Sequence, residues 1–256
     1  MDVAGKAAIV TGGSSGVGAA TARRLAQLGC AVLVNYSRSQ PPAEEVAESC
    51  RAEGVKAVAH RADVSDDAAC RAMVDTAAKE FGRLDILINN AGTTVFVDHG
   101  DLEAVEDPDW DRIFAVNLKG PFYCSRAARP ALEAAGGGEI VMTSSIAGLV
   151  GRGSSIPYCA SKGALNNLTV TLARALGPSN IRVNGVAPGF IEGPWLREGL
   201  GDERYEALRR GFQALTPLGR TCTPDEVATA ITSLVTGSDL VTGTVLPVES
   251  GFVIGR

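Results

Sequence analysis

Residues 7–18 read Ala7-Ala8-Ile9-Val10-Thr11-Gly12-Gly13-Ser14-Ser15-Gly16-Val17-Gly18, and this stretch decides the fold. Four apolar residues without polar alternation are what a strand buried on both faces looks like. The glycine-rich turn after them leads straight into a helix-length amphipathic stretch, Gly16–Leu28. Glycines in such a turn let the backbone bend sharply and approach an anion, which the free amides of the helix start can then hold. The spacing is Gly12, Gly16 and Gly18 rather than G-x-G-x-x-G, so the position of the turn in the first strand–helix unit carries the reading.

The same rhythm continues outward. Further buried strands are expected at Ala31–Val34, Lys56–Ala59, Leu84–Ile88, Glu139–Met142, Ile181–Val186 and Val245–Val248. Helices are expected between them, at Ala43–Ala52, Asp66–Phe81, Asp109–Ala134, Tyr158–Leu176 and Asp225–Val235, the third with an interruption at Gly120–Pro121. Strict alternation of this kind predicts a parallel sheet with right-handed crossovers and helices on both faces. The expectation is one α/β domain over residues 1–256, a Rossmann-type doubly wound sheet. Residues 190–220 break the rhythm with Pro194, Trp195, Tyr205, Phe212, Pro217 and Gly219. An excursion that long, leaving the carboxyl end of a strand, is expected to be a mobile substrate lid. A static helical insertion is the alternative.

Bulk properties narrow the function classes. At 256 residues with 45% hydrophobic and 21% charged side chains, the chain can bury a core without a disulfide or metal. A net charge of −5 argues against a nucleic-acid or anionic-membrane surface. Cys30, Cys50, Cys70, Cys124, Cys159 and Cys222 form no C-x-x-C pair or zinc spacing, and His60 and His99 stand far apart. No metal site is expected, and reduced cysteines fit a cytoplasmic protein. No apolar run approaches a membrane span.

About twenty residues beyond Gly18 such a fold chooses its dinucleotide: an acidic residue suits NAD, an arginine accommodates the 2′-phosphate of NADP. Here the second strand runs into Asn35-Tyr36-Ser37-Arg38, with no carboxylate before Glu44. Ser37 and Arg38 favour NADP, with NAD as the alternative. Tyr158 and Lys162 stand four apart at a helix start and so share a face. Free tyrosine has a pKa of about 10. A neighbouring ammonium and an oxidised nicotinamide would lower it toward useful acid–base chemistry. Ser145 lies at the carboxyl end of the fifth strand, where its hydroxyl can bind a substrate oxygen, although Ser144 beside it could take either role. Asn117 sits mid-helix, where asparagine is a poor helix former. A buried structural amide is the alternative there.

Taken together, Thr11–Gly18, Asp63-Val64, Asn89-Asn90-Ala91-Gly92, Asn117, Ser145, Tyr158-x-x-x-Lys162 and Pro188-Gly189 resemble the short-chain dehydrogenases/reductases, in the family's order and over essentially the whole chain. The resemblance implies a seven-stranded parallel sheet of order 3-2-1-4-5-6-7. It also implies a catalytic tetrad of Asn117, Ser145, Tyr158 and Lys162 that interconverts a carbonyl and a secondary alcohol. The cofactor would be held by Gly12, Ser14, Ser15, Gly16, Val17, Gly18, Ser37, Arg38, Asp63, Val64, Asn89, Ala91, Gly92, Tyr158, Lys162, Pro188, Gly189 and the backbone of Ile191. Asp63 would touch adenine, and Asn89, Ala91 and Gly92 would line the adenosine side. Gly193 stands where the family usually has threonine, and Glu249-Ser250-Gly251 replaces the more usual Asp-Gly-Gly. A D2 homotetramer is the usual assembly, with Tyr158–Leu176 at one interface and the C-terminal strand at another.

The general look is that of 3-oxoacyl-acyl-carrier-protein reductases and of sugar or polyol dehydrogenases. An acidic carrier protein would want basic residues beside the cleft. Residues 134–138 and 177–180 carry none, which leaves Arg126, Arg129 and Arg152. A small-molecule substrate is therefore expected. A catalytically silent NADP-binding sensor, and a lyase or dehalogenase on the same scaffold, are the competing classes. The intact Tyr158–Lys162 pair and glycine-rich turn speak against them. Trp195, Leu196, Leu200, Tyr205, Leu208 and Phe212 in the lid are candidates to pack on an apolar or cyclic substrate, and the same residues would also suit an amphipathic helix pair with no substrate contact.

Overall fold

The computed structural model describes residues 1–255. Seven strands form one all-parallel sheet of order β3-β2-β1-β4-β5-β6-β7. They are β1 Ala7–Val10, β2 Ala31–Tyr36, β3 Ala57–Arg61, β4 Ile86–Asn89, β5 Gly138–Thr143, β6 Ile181–Pro188 and β7 Val245–Val248. The helices are α1 Gly16–Gln27, α2 Gln40–Ala52, α3 Asp67–Phe81, α4 Asp107–Phe114, α5 Gly120–Ala134, α6 Ala147–Val150, α7 Ile156–Leu176, α8 Pro194–Leu200, α9 Asp202–Leu215 and α10 Pro224–Thr236.

The core divides as the two-residue period of a strand requires. Ala8, Val10, Val32, Val34, Ile86 and Ile88 face one cluster, closed by apolar residues of α1, α2 and α10. Ile9, Leu33 and Leu87 face the other, closed by α3, α5 and α7. Because both faces are covered, most strand residues are apolar and read as runs in the sequence; among the exceptions, Arg182 on β6 and Glu139 on β5 are buried and paired with each other.

Several helices start earlier than expected. The early start of α2 includes Pro41 and Pro42, which a helix accepts in its first turn, where their missing N–H is not needed. Likewise α7 starts at Ile156, because Ser155 caps it by accepting from the Tyr158 amide. The expected interruption near Gly120–Pro121 takes the form of a π-helical turn, Ala115–Lys119, joining α4 to α5 without a break. β2 and β6 run to Tyr36 and Pro188, so their carboxyl ends project further toward the mouth of the sheet.

Candidate active site

At the carboxyl end of β1, Thr11 organises the glycine turn. Its hydroxyl donates to the Ile88 carbonyl at 3.2 Å and accepts from the amides of Asn90 (2.9 Å) and Ala91 (3.0 Å). The Asn90 side-chain amide donates back to the carbonyls of Thr11 (3.0 Å) and Gly12 (3.2 Å). The Gly12 amide is held by Asn35 Oδ1 at 3.1 Å. A Cβ at Gly18 would lie 2.2 Å from the Gly12 carbonyl oxygen, so helix α1 can meet the turn this closely only without one. Ser15, the residue capping α1, is extended and makes no side-chain capping bond. The first amides of the helix are thus left for an anion at the positive end of its dipole. Ser14, Ser15 and Gly16 reach the surface there, while Val17 and Gly18 are buried. This cradle fits a dinucleotide pyrophosphate. Thr11, Asn35 and Asn90 are its supports, and the sequence reading did not single them out. Their signal was polar residues at the ends of apolar strands.

Beside the turn, Ser37 and Arg38 are exposed just beyond β2. Asp63 is partly engaged elsewhere. Its carboxylate accepts from the Ser65 amide (2.9 Å) and hydroxyl (2.7 Å) and from Arg112 of α4 (3.2 Å). Partial burial works to raise its pKa, but these donors outweigh it and hold the group below its usual value. Val64 is buried against Gly120. The side chain of Asn89 does not reach the cleft. It turns into the core toward Ser125 and Met142, both at 3.3 Å, leaving only its backbone for the adenosine side. Ala91 and Gly92 remain at the cleft surface.

The four expected catalytic residues converge. Lys162 is buried and donates to the Thr143 carbonyl at 2.8 Å, with its ammonium 5.6 Å from the centre of the Tyr158 ring. A Cβ at Gly92 would sit 3.8 Å from that ammonium and 3.5 Å from Asn117 Oδ1, so the loop after β4 closes over both. The Ser145 hydroxyl lies beside Tyr158 and favours its ionised form. The Ala147 amide donates to the Ser145 hydroxyl, at 3.1 Å. Ser144 points the other way, buried and bonded to Asn166 Oδ1 at 2.5 Å. Asn117 is fully buried in the π-helical turn. Its amide clamps the Thr93 backbone, accepting from N–H at 2.8 Å and donating to C=O at 2.9 Å, and donates to Ser161 at 3.1 Å.

Electrostatics depart from the sequence expectation in one respect. Burial pushes the Tyr158 phenol up to about 12, with the Ser145 hydroxyl pulling the other way. Burial also pushes Lys162 down to about 8. The protein by itself does not depress the tyrosine; desolvation dominates both groups.

The last wall comes from β6 and the segment after it. The Pro188 carbonyl accepts from the Ile146 amide, tying this wall to the serine-bearing loop. Gly189 lies against Phe212 and Glu249. Ile191 forms a parallel bridge with Cys222, in which Phe190 and Glu192 supply the bonding groups. The N–H and C=O of Ile191 itself therefore face away from Cys222, free for a ligand. Gly193 carries no side chain where the family threonine would stand, and its amide donates to the Tyr205 hydroxyl at 3.3 Å. Residues 194–215 are the helix pair α8–α9. Tyr205 and Phe212 face inward on Phe190 and Phe252. Arg197 pairs with Asp202 and Glu206, and Arg209 with Glu206. Trp195 is half-exposed and meets Phe96 edge-on, with centroids 6.0 Å apart.

Residues 6–203 match the family described as short chain dehydrogenase. The chain belongs to that family. This short-chain dehydrogenase is 39% identical over 248 residues to cis-4-hydroxycyclohexanecarboxylate dehydrogenase from Sinomonas cyclohexanicum, covering 96% of each chain. It is 36% identical over 247 residues to a 3-oxoacyl-[acyl-carrier-protein] reductase from Staphylococcus aureus, covering 96% of this chain and 97% of that one. NAD+-bound xylitol dehydrogenase superposes with a TM-score of 0.89 at 29% identity, over 98% of this chain and all of that one. The family is one of oxidoreductases, and the sheet order matches the sequence expectation.

In this dehydrogenase α8 is pressed onto the loop after β4. A Cβ at Gly199 would lie 1.9 Å from the Phe96 ring, closer than any real contact. Gly199→Val is therefore expected to push α8 off Phe96, while leaving the distant glycine turn intact. Steady-state kinetics should show substrate KM raised about tenfold with nucleotide KM unchanged, the cost being of the order of an overpacking strain. An unchanged substrate KM would detach this contact from the substrate pocket.

Among the described residues no helix is long and apolar enough to cross a membrane, and no cluster of ligating side chains suits a metal ion.

Proposed function

We propose that the chain interconverts a small-molecule carbonyl compound and a secondary alcohol, using NADP(H) in preference to NAD(H). The observation that carries this reading is the Ser145–Tyr158 hydroxyl pair beside the buried Lys162 ammonium, in the same cleft as the uncapped start of α1. When bound, the nicotinamide supplies or accepts the hydride. Ser145 binds and polarises the substrate oxygen. Tyr158 gives that oxygen a proton in reduction and takes it back in oxidation. Lys162, held by the Thr143 carbonyl, provides the positive charge that stabilises the phenolate when it forms. Asn117 keeps the Thr93 loop and Ser161 in place around them. With the phenol pushed up to about 12, Tyr158 carries its proton at neutral pH, the state reduction requires.

Ser37 and Arg38 support the NADP preference, since both lie exposed where a 2′-phosphate would be read. Gly12, Ser14, Ser15, Gly16, Val17 and Gly18 would hold the pyrophosphate, and Tyr158, Lys162, Pro188, Gly189 and Ile191 the nicotinamide half. Asp63, Val64, the backbone of Asn89, Ala91 and Gly92 would surround the adenosine. A small-molecule substrate is favoured over an acidic carrier protein. Arg126 is already paired with Asp67 at 2.7 Å and Arg129 with Glu133 at 2.8 Å. A cytoplasmic homotetramer is the favoured setting. Val170 on α7, and Leu246 and Ile254 near the C-terminus, leave apolar surface on the two faces where the family assembles.

Titration with NADPH and NADH by nicotinamide fluorescence, then assay on ketones, 3-oxoacyl thioesters and sugars, tests the reading. Tighter NADPH binding with turnover supports it, binding without turnover on any substrate favours the sensor, and no nucleotide binding overturns it. The pH profile adds a second check. Lys162 loses its charge as pH rises through about 8, so kcat/KM for reduction is expected to fall above that point. Lys162→Arg keeps a fixed charge and should move the falling limb up by more than one pH unit in whatever activity it retains. A limb that stays at the same pH in this variant would assign it to another group.

A further inference from the structure

The carboxyl edge of the sheet carries a second arginine that the cofactor reading above does not use. The parallel register of β2 and β3 sets Arg61 directly beside Tyr36, at the end of both strands. Ser37 and Arg38 follow Tyr36 immediately. Arg61 is exposed, and its Nε donates to the Ser37 carbonyl at 3.4 Å. That bond orients the guanidinium along the Ser37–Arg38 turn and leaves its terminal nitrogens free.

Charge bookkeeping at this edge is one-sided. Among the described residues neither Arg38 nor Arg61 has a carboxylate partner. The acids that could serve are taken: Asp63 by Ser65 and Arg112, and Glu44 by Arg51 at 2.6 Å. Two exposed arginines without acid partners leave uncompensated positive charge at this edge, which a dianion would neutralise.

We infer that Arg61 and Arg38 form a two-armed clamp for the 2′-phosphate of the dinucleotide, with the Ser37 hydroxyl between them, so that Arg61 is a specificity-determining residue. The inference rests on the proposed NADP preference and extends it from one arginine to two. Arg61 enters from a different strand than Arg38, so the clamp reads the phosphate from two sides. The Ser37 carbonyl steers Arg61 into this clamp.

Calorimetric binding of two fragments that differ only in the 2′-phosphate, adenosine 2′,5′-bisphosphate and adenosine 5′-monophosphate, tests the clamp without any turnover. The wild-type protein is expected to prefer the bisphosphate. Arg61→Gln should weaken bisphosphate binding about tenfold, the usual worth of a charge-assisted bond, and leave the monophosphate unchanged. Arg61→Lys should fall between the two, because it keeps the charge and loses the fork. If wild type binds both fragments alike, the NADP preference itself fails. If wild type prefers the bisphosphate and Arg61→Gln keeps that preference in full, or weakens both fragments equally, the clamp is overturned and Arg38 alone carries the preference.

Discussion

Replacing Tyr158 by phenylalanine is expected to lower kcat about a thousandfold, with nucleotide binding within about twofold of wild type. The substitution removes one oxygen and keeps the ring. Lys162 therefore retains its aromatic neighbour and its bond to the Thr143 carbonyl. What disappears is the one group able to exchange a proton with a substrate oxygen held by Ser145. Because that exchange belongs to the transition state, kcat and kcat/KM should fall together. Single-turnover kinetics with fluorescence-detected nucleotide binding would separate the two quantities. A variant with wild-type turnover would remove Tyr158 from the chemistry. A variant that loses nucleotide binding in parallel would make the hydroxyl a binding group and leave the proton donor to be found.

Gly18→Ala is expected to have the opposite signature. The added carbon would sit 2.2 Å from the Gly12 carbonyl oxygen and 2.6 Å from the Asn90 side-chain nitrogen, and the carbonyl is backbone that cannot swing aside. Either α1 withdraws or the turn opens, and both outcomes disperse the amides that face the anion. Nucleotide affinity should fall about a hundredfold, a cost within the range of severe core strain. Gly16→Ala is the control: a Cβ there meets nothing within 4 Å, and only its φ of +51° is disfavoured. That penalty is about 1–2 kcal/mol, so its loss of affinity should be markedly smaller. Isothermal titration, with circular dichroism to confirm that both variants fold, gives the comparison. Equal losses would mean that backbone strain, not the close approach of α1, governs the cradle.

Most strand positions were legible because a sheet covered on both faces demands short apolar runs, of which Ala7–Val10 is the plainest. The closeness of Tyr158 and Lys162 was legible through spacing, since they share one turn of one helix, whereas Asn117 joined the tetrad only through the family resemblance. Ser144 and Ser145 could not be separated by sequence, because what divides them is Asn166, a partner far along the chain. The direction of the Asn89 side chain was hidden for the same reason: it follows Ser125 and Met142 into the core. In the lid, amphipathicity announced a buried face without naming its occupant, and Tyr205 and Phe212 bury against Phe190 and Phe252. The phenol pKa was expected to be lowered by the lysine ammonium together with an oxidised nicotinamide; in the protein alone desolvation, invisible in a sequence, raises it.

The π-helical turn at Ala115–Lys119 also bears on how this molecule can change. One additional residue in a helix advances the azimuth of everything after it by about 100°. Cys124, Ala128 and Leu132 lie against α3 and the sheet with that advance already included. Deleting a single residue from the turn would restore a regular helix and rotate those side chains out of the second core cluster. The irregularity that seats Asn117 near Lys162 is thus written into the phase of α5. Drift in length at this point would be met first by a failure to fold, and the cleft is shielded from it by the core.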